Sequence, residues 1–178
     1  MPEGRIIRLV DDRARIVEDA WTLFEDGAAW SGEPSALIPV ATALEQPQRL
    51  LAAAPAAAVW LAPTDEPAQV VPLFGSIELI AVRFPVLGDG RGYSTAALLR
   101  NRHGWRGELR AIGDVLRDQL TFMFRCGFDS YALRADKDFG DALKAFDEFS
   151  VQYQGAVDNP SPLFRRRAAA AATDKVPA

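Results

Sequence analysis

Apolar residues in this chain fall into short runs that alternate with stretches where apolar positions recur every three or four residues. The runs read as strands and the recurring stretches as helices. Residues 5–10 and 14–17 are two such runs separated by Asp11-Asp12-Arg13, the pattern of a small β-hairpin. Gly27, Gly32 and Pro34 make residues 27–35 a loop. A regular rhythm then sets in. Strands are expected at residues 36–40, 58–62, 79–84, 108–112 and 130–134, and helices at 42–54, 65–74, 93–102, 115–125 and 139–151.

Strand-then-helix alternation argues for parallel βαβ units. The expected fold class is α/β: a mostly parallel sheet of about five βα units, either an open sheet or an incomplete barrel, behind a small N-terminal β-hairpin. One domain is expected over residues 1–154. Residues 155–178 change character: DNPSP is followed by FRRRAAAAATDKVPA, which reads as an extended or disordered, flexible tail. The Arg165-Arg166-Arg167 run in it either holds an anion or partner or is simply solvated.

Composition narrows the function classes. The chain has 178 residues, 49% hydrophobic, with net charge −4. A chain of this length buries roughly 70% of its unfolded surface, enough for one core. The negative charge gives no general drive toward nucleic acid or anionic membrane. One cysteine, Cys126, can make neither an intrachain disulfide nor a cluster or zinc-ribbon ligand set. No metal site and no cofactor is indicated by motif. The first residues lack an apolar signal core, and no charge-free window of about 20 apolar residues exists, so a cytoplasmic protein without membrane spans is expected.

Candidate chemistry concentrates between residues 84 and 129. In a parallel sheet the strand C-termini share one edge, where ligand sites gather. Asp89, Arg91, Asp114, Arg134 and Asp136 are placed to converge there. The turn GDGRGYS carries three glycines in five residues, permitting positive φ and close backbone approach. The helix N-terminus behind it favours an anion, to which Arg91 would add a charged fork. The bland alternative is a glycine-rich turn preceding Tyr93, with Ser94 as helix N-cap. The turn matches neither GxGxxG nor a P-loop.

Asp114 is placed as the next helix's N-cap, and Asp114, Asp118, Thr121 and Arg125 share one helical stripe. Two carboxylates a turn apart suit acid–base work or a metal; a solvated face explains them equally. Gln119 faces the apolar side and needs a partner there. Glu108 and Arg110 stand two apart on a strand, hence on one face. They either pair with each other or neighbours, or line a polar pocket. Cys126 reads as a buried structural thiol and His103, the single histidine, as a cation near a helix C-terminus.

The strings FP-x3-DGRGYS-x-A-x-LLR-x-R, GELRAIGDVL-x-DQL and RCGFD resemble the bacterial family catalogued as domain of unknown function 934. VWLAPTDEP, LIAVRFP, FSVQYQ and PLFRRR extend the resemblance over most of the chain. The family is commonly encoded beside assimilatory sulfite reductase. The resemblance therefore implies an accessory protein or oxidoreductase component of sulfite reduction, with sulfite reductase as partner. It brings no catalytic residues; its signature positions here are Asp89, Gly90, Arg91, Gly92, Tyr93, Ser94, Glu108, Arg110, Gly113, Asp114, Asp118, Gln119, Cys126 and Asp129. Because an independent redox enzyme needs an electron carrier, the accessory reading is preferred. Two alternatives stand beside it. One is a small enzyme or anion-binding module with its site at the strand C-termini, formed by Arg91, Glu108, Arg110 and Asp114. The other is a non-enzymatic structural or homo-oligomeric subunit using the four tryptophans.

Overall fold

The computed structural model describes residues 4–11, 13–53 and 57–173. Its strands are β1 (Arg5–Val10), β2 (Arg13–Glu18), β3 (Thr22–Leu23), β4 (Ala36–Pro39), β5 (Ala57–Leu61), β6 (Leu79–Phe84), β7 (Glu108–Gly113) and β8 (Ser130–Tyr131). Helices are α1 (Val40–Glu45), α2 (Pro47–Ala53), α3 (Arg91–Asn101), α4 (Arg117–Cys126), α5 (Phe139–Leu143) and α6 (Leu163–Thr173). Pro67–Leu73 and Lys144–Asp147 form 3-10 turns.

The eight strands make one sheet in the order β2-β1-β8-β7-β6-β5-β4-β3. Neighbours from β3 to β8 are parallel, whereas β1 is antiparallel to both β2 and β8. The sheet is therefore mixed and partly parallel, not a mostly parallel sheet of five βα units. Two facts account for the difference. The expected hairpin does form, but it joins the main sheet through Ile7 opposite Tyr131. The two-residue β3 leaves no periodic signal in sequence, yet Thr22 pairs with Ala36 at the other edge.

The connection from β2 to β3 dictates the sheet's shape. These strands lie at opposite edges, but only Asp19, Ala20 and Trp21 separate them. Four peptide steps span at most about 14 Å. Eight flat strands would hold the edges about 34 Å apart. The sheet must curl until its edges nearly meet, leaving an open, incomplete barrel with an inner and an outer face.

Both faces are apolar, as parallel strands require. Outer-facing Val59, Ile80, Val82, Phe84, Leu109 and Tyr131 pack under the helices with Ala96, Leu99, Leu120 and Met123. Inner-facing Leu37, Ala58, Trp60, Leu79, Ala81 and Ile112 pack with Ile6, Val17 and Trp21. All five residues of β5 are buried. Each large apolar side chain so enclosed contributes roughly 1.5–3 kcal/mol.

Local departures have local causes. The helix expected at 42–54 breaks at Gln46 because Pro47 starts a new one and donates no hydrogen bond; its last residue, 54, lies outside the described residues, as does Asp12 of the hairpin turn. The helix expected at 139–151 ends in the 3-10 turn at Asp147. The C-terminal segment is not extended throughout. Ala168 to Ala172, the best helix formers, carry α6. Val157 N–H donates to Arg125 O at 3.0 Å and Leu163 N–H to Tyr153 O at 2.8 Å, tying the segment back. Residues 174–178 of the expected tail lie outside the described residues.

Candidate functional site

β7 brings Glu108, Arg110 and Ile112 onto the inner face, in register with Leu79 and Ala81 of β6. Arg110 is 1% exposed. Its Nη1 donates to Asp19 Oδ1 at 2.7 Å, its Nη2 to Glu108 Oε1 at 2.7 Å, and its Nε to Ser130 Oγ at 3.1 Å. Arg8 closes the cluster 3.3 Å from Glu108. Of the sequence alternatives for this pair, mutual and neighbouring pairing is the one realised. A buried guanidinium demands such satisfaction, and all three of its nitrogens donate. The cluster ties the interior of the curl to the edge-to-edge connection.

At the C-terminal ends of the strands the interior opens as a mouth of about 260 Å³. Leu23, Glu25, Arg83, Ile112, Ala132 and Arg134 are among its walls. Arg83 of β6 and Glu25, two residues past β3, pair across it although β4 and β5 lie between those strands. The Arg83 guanidinium lies 5.2 Å from the centre of the Trp60 ring, and Trp60 Nε1 donates to Phe24 O at 3.0 Å. Arg134 reaches Asp114 at 2.8 Å and Asp136 at 2.6 Å. These hydrogen bonds, Asp136 foremost, raise the Arg134 pKa; the Arg134 and Lys137 contacts hold the Asp136 carboxyl well below the usual range.

Three of the five residues expected to converge do so: Asp114, Arg134 and Asp136. Asp89 and Arg91 pair with each other at 2.7 Å instead, and Arg91 lowers the Asp89 pKa through that bond. Asp114 is not a helix N-cap. α4 starts at Arg117, and Gln119 Oε1 accepts the Leu116 N–H at 2.9 Å. Asp114 Oδ2 instead accepts Leu87 N–H at 2.9 Å, anchoring the loop after β6 to the rim. Its expected stripe with Asp118 therefore does not form, and Asp118 is exposed on α4. None of Arg91, Glu108, Arg110 and Asp114 lines the mouth.

The glycine-rich turn also differs. α3 begins at Arg91 behind Gly90, so Ser94 is an exposed residue inside the helix and not its cap. None of Gly88, Gly90 and Gly92 has positive φ. Gly92 is needed for closeness: a Cβ there would stand 2.6 Å from the buried Phe84 ring. Tyr93 stacks between Phe84 and Phe122, at 5.1 and 4.9 Å, and burial raises its pKa.

Sequence reading missed Arg83, Glu25 and Asp19. Arg83 interrupts the apolar run LIAVRF at the parity of Leu79 and Ala81, which was the available signal. Glu25 and Asp19 gave none. It also missed Arg100, whose guanidinium donates to Trp105 O, Gly107 O, Gly127 O and Asp129. Burial lowers the Arg100 pKa and raises that of Asp129. This clasp fastens α3 to β7 and β8.

Residues 58–164 match the family described as bacterial protein of unknown function (DUF934). The chain belongs to that family. In this DUF934 protein the matched span holds β6, β7, β8 and both rim arginines, while Asp19 and Glu25 precede it. No curated protein and no solved structure matches the chain. Among the described residues no helix is long and apolar enough to cross a membrane. Among the same residues no three His, Cys, Asp or Glu side chains group as metal ligands.

Proposed function

We propose that this DUF934 protein is an accessory component of assimilatory sulfite reduction that binds a small oxyanion at the mouth of its curled sheet and works beside sulfite reductase. The observation that carries the binding part is the pair of guanidiniums, Arg83 and Arg134, walling one cavity at the strand C-termini. Curled parallel sheets place ligands at that rim. An arginine fork matches two oxygens of an oxyanion. Trp60 holds the Arg83 fork in place before a ligand arrives.

The carboxylate now on Arg83 presents a small barrier. The Glu25 side chain is 57% exposed. Solvated pairs of this kind are worth roughly 0–1 kcal/mol. An anion that takes two hydrogen bonds from Arg83 repays that. The sulfite pathway and its reductase come from the family resemblance. Exposed Val86 and Leu87, on the loop Asp114 anchors, offer the mouth an apolar rim for docking.

Titration with sulfite, followed by tryptophan fluorescence and calorimetry, tests the reading. Saturable binding that weakens in Arg83→Gln and Arg134→Gln, with co-purification of sulfite reductase, is the expected result. No heat, no complex at micromolar concentration and normal growth on sulfite after deletion would sink it.

A further inference from the structure

A second cavity, of about 760 Å³, lies outside the sheet between the β1–β2 hairpin, α4, the 3-10 turn after α5 and the C-terminal segment. It does not share its walls with the mouth. We infer that this cavity is a binding site for an amphipathic anion, with an apolar or aromatic body and one anionic head.

One part of the wall is aromatic. Phe124 and Phe146 meet edge to face at 6.5 Å, and Phe149 closes the space while remaining 62% exposed. Another part is cationic. Among the described lining residues, three arginines face two aspartates, although the whole chain is net negative. The lining thus carries one excess positive charge in a net negative chain, the sign that an anionic head requires.

Arg125 and Arg166 supply the head-group contacts. Nη2 of Arg125 donates to Gln154 O at 2.5 Å, and Nη2 of Arg166 to Gln152 O at 2.8 Å. The Nε of each is buried without a hydrogen-bond partner. Asp158 forms an ion pair with the first at 3.8 Å, too long for a hydrogen bond, so Arg166 is the less compensated of the two. A guanidinium has five N–H donors, so the Nη groups of each keep N–H donors beyond the one carbonyl they serve, while the sealed Nε stays out of a ligand's reach. A cavity of this size encloses a molecule larger than an inorganic ion, with convergent polar groups fixing one end. An inorganic oxyanion would leave the aromatic wall empty, and a neutral lipid would leave the arginines unused.

The test uses the full chain and two fluorescent probes of similar shape, anionic anilinonaphthalenesulfonate and neutral phenylnaphthylamine. One equivalent of the anionic probe is expected to bind, at least about tenfold tighter than the neutral one, as one charged hydrogen bond implies. Arg125→Gln and Arg166→Gln should each remove most of that preference without weakening the neutral probe. Phe149→Ala, an exposed substitution that spares the fold, should weaken both probes. If Arg125→Gln fails to fold, Arg166→Gln and Phe149→Ala still decide. Equal binding of the two probes, several weak equivalents, or indifference to these substitutions would overturn the inference. A chain that ignores sulfite yet holds the anionic probe refutes the mouth and leaves this cavity standing.

Discussion

Nη1 of Arg110 donates to Oδ1 of Asp19 at 2.7 Å, joining the middle of the sheet to the three residues that carry the chain from one sheet edge to the other. Ninety-one positions separate the two residues. Both side chains are nearly sealed from water, at 1% and 4% exposure.

Removing Asp19 leaves the buried Arg110 charge to Glu108 alone, which Arg8 also shares. Asp19→Ala is expected to destabilise the protein by roughly 3–5 kcal/mol in urea unfolding. Arg110→Lys should be damaging too, because one ammonium cannot serve Asp19, Glu108 and Ser130 together. A loss under about 1 kcal/mol for Asp19→Ala would mean the curl is held by apolar packing alone.

The rim tolerates no side chain at Gly113. Its φ is +97°, and a Cβ would approach Phe84 O to 2.3 Å. That carbonyl also accepts Asp114 N–H at 2.7 Å. Gly113→Ala should cost more than about 1 kcal/mol and loosen the loop that Asp114 holds. Thermal unfolding and amide exchange at Leu87 would register both effects.

Asp136 supplies a pH-dependent prediction. Its folded pKa is depressed below the unfolded value of 3.8, first by Arg134 and then by Lys137. A depressed carboxyl stabilises the fold above its unfolded pKa, and the contribution fades as pH falls below 3.8 toward the folded value. Carbon-detected titration should place the Asp136 midpoint below that of an ordinary aspartate. Arg134→Gln should bring it back up; an unchanged midpoint would dissolve the assigned pair.

Cys126 should be a poor nucleophile. Burial raises its thiol pKa from 9.0, and Asp158 adds to this while Arg125 opposes it. Iodoacetamide labelling of the folded chain should therefore be slow at pH 7 and accelerate only above pH 9, whereas the unfolded chain reacts sooner. Rapid labelling at neutral pH would count against the half-buried setting of this thiol.

Elements with a strong period were legible in sequence. Strands β5, β6 and β7 and helices α3 and α4 lie within a few residues of expectation, because continuous apolar runs and amphipathic stretches fix them locally. The curl was not legible, because it depends on which strands become edges. Nothing in Asp19-Ala20-Trp21 announces that it bridges them. Glu108 and Arg110 stood out in sequence because charge on a buried strand needs a reason, and their partner Asp19 could come only from the topology. The strand C-termini do carry an opening, but its cations are Arg83 and Arg134. Arg91, the expected one, is held by Asp89 two residues away.

The placement of β1 has a consequence for synthesis. Ile7 has its sheet neighbour at Tyr131, and Leu9 N–H donates to Asp129 O at 2.8 Å. On the ribosome the first hairpin must wait until those residues emerge, about 120 residues later, or several seconds at common translation speeds. Until then the free edge of β1 and the apolar side chains of Ile6 and Ile7 are unprotected. Slow refolding and early aggregation should follow from so distant a pairing. A chaperone that holds nascent chains would meet this hairpin before its sheet partner β8 exists.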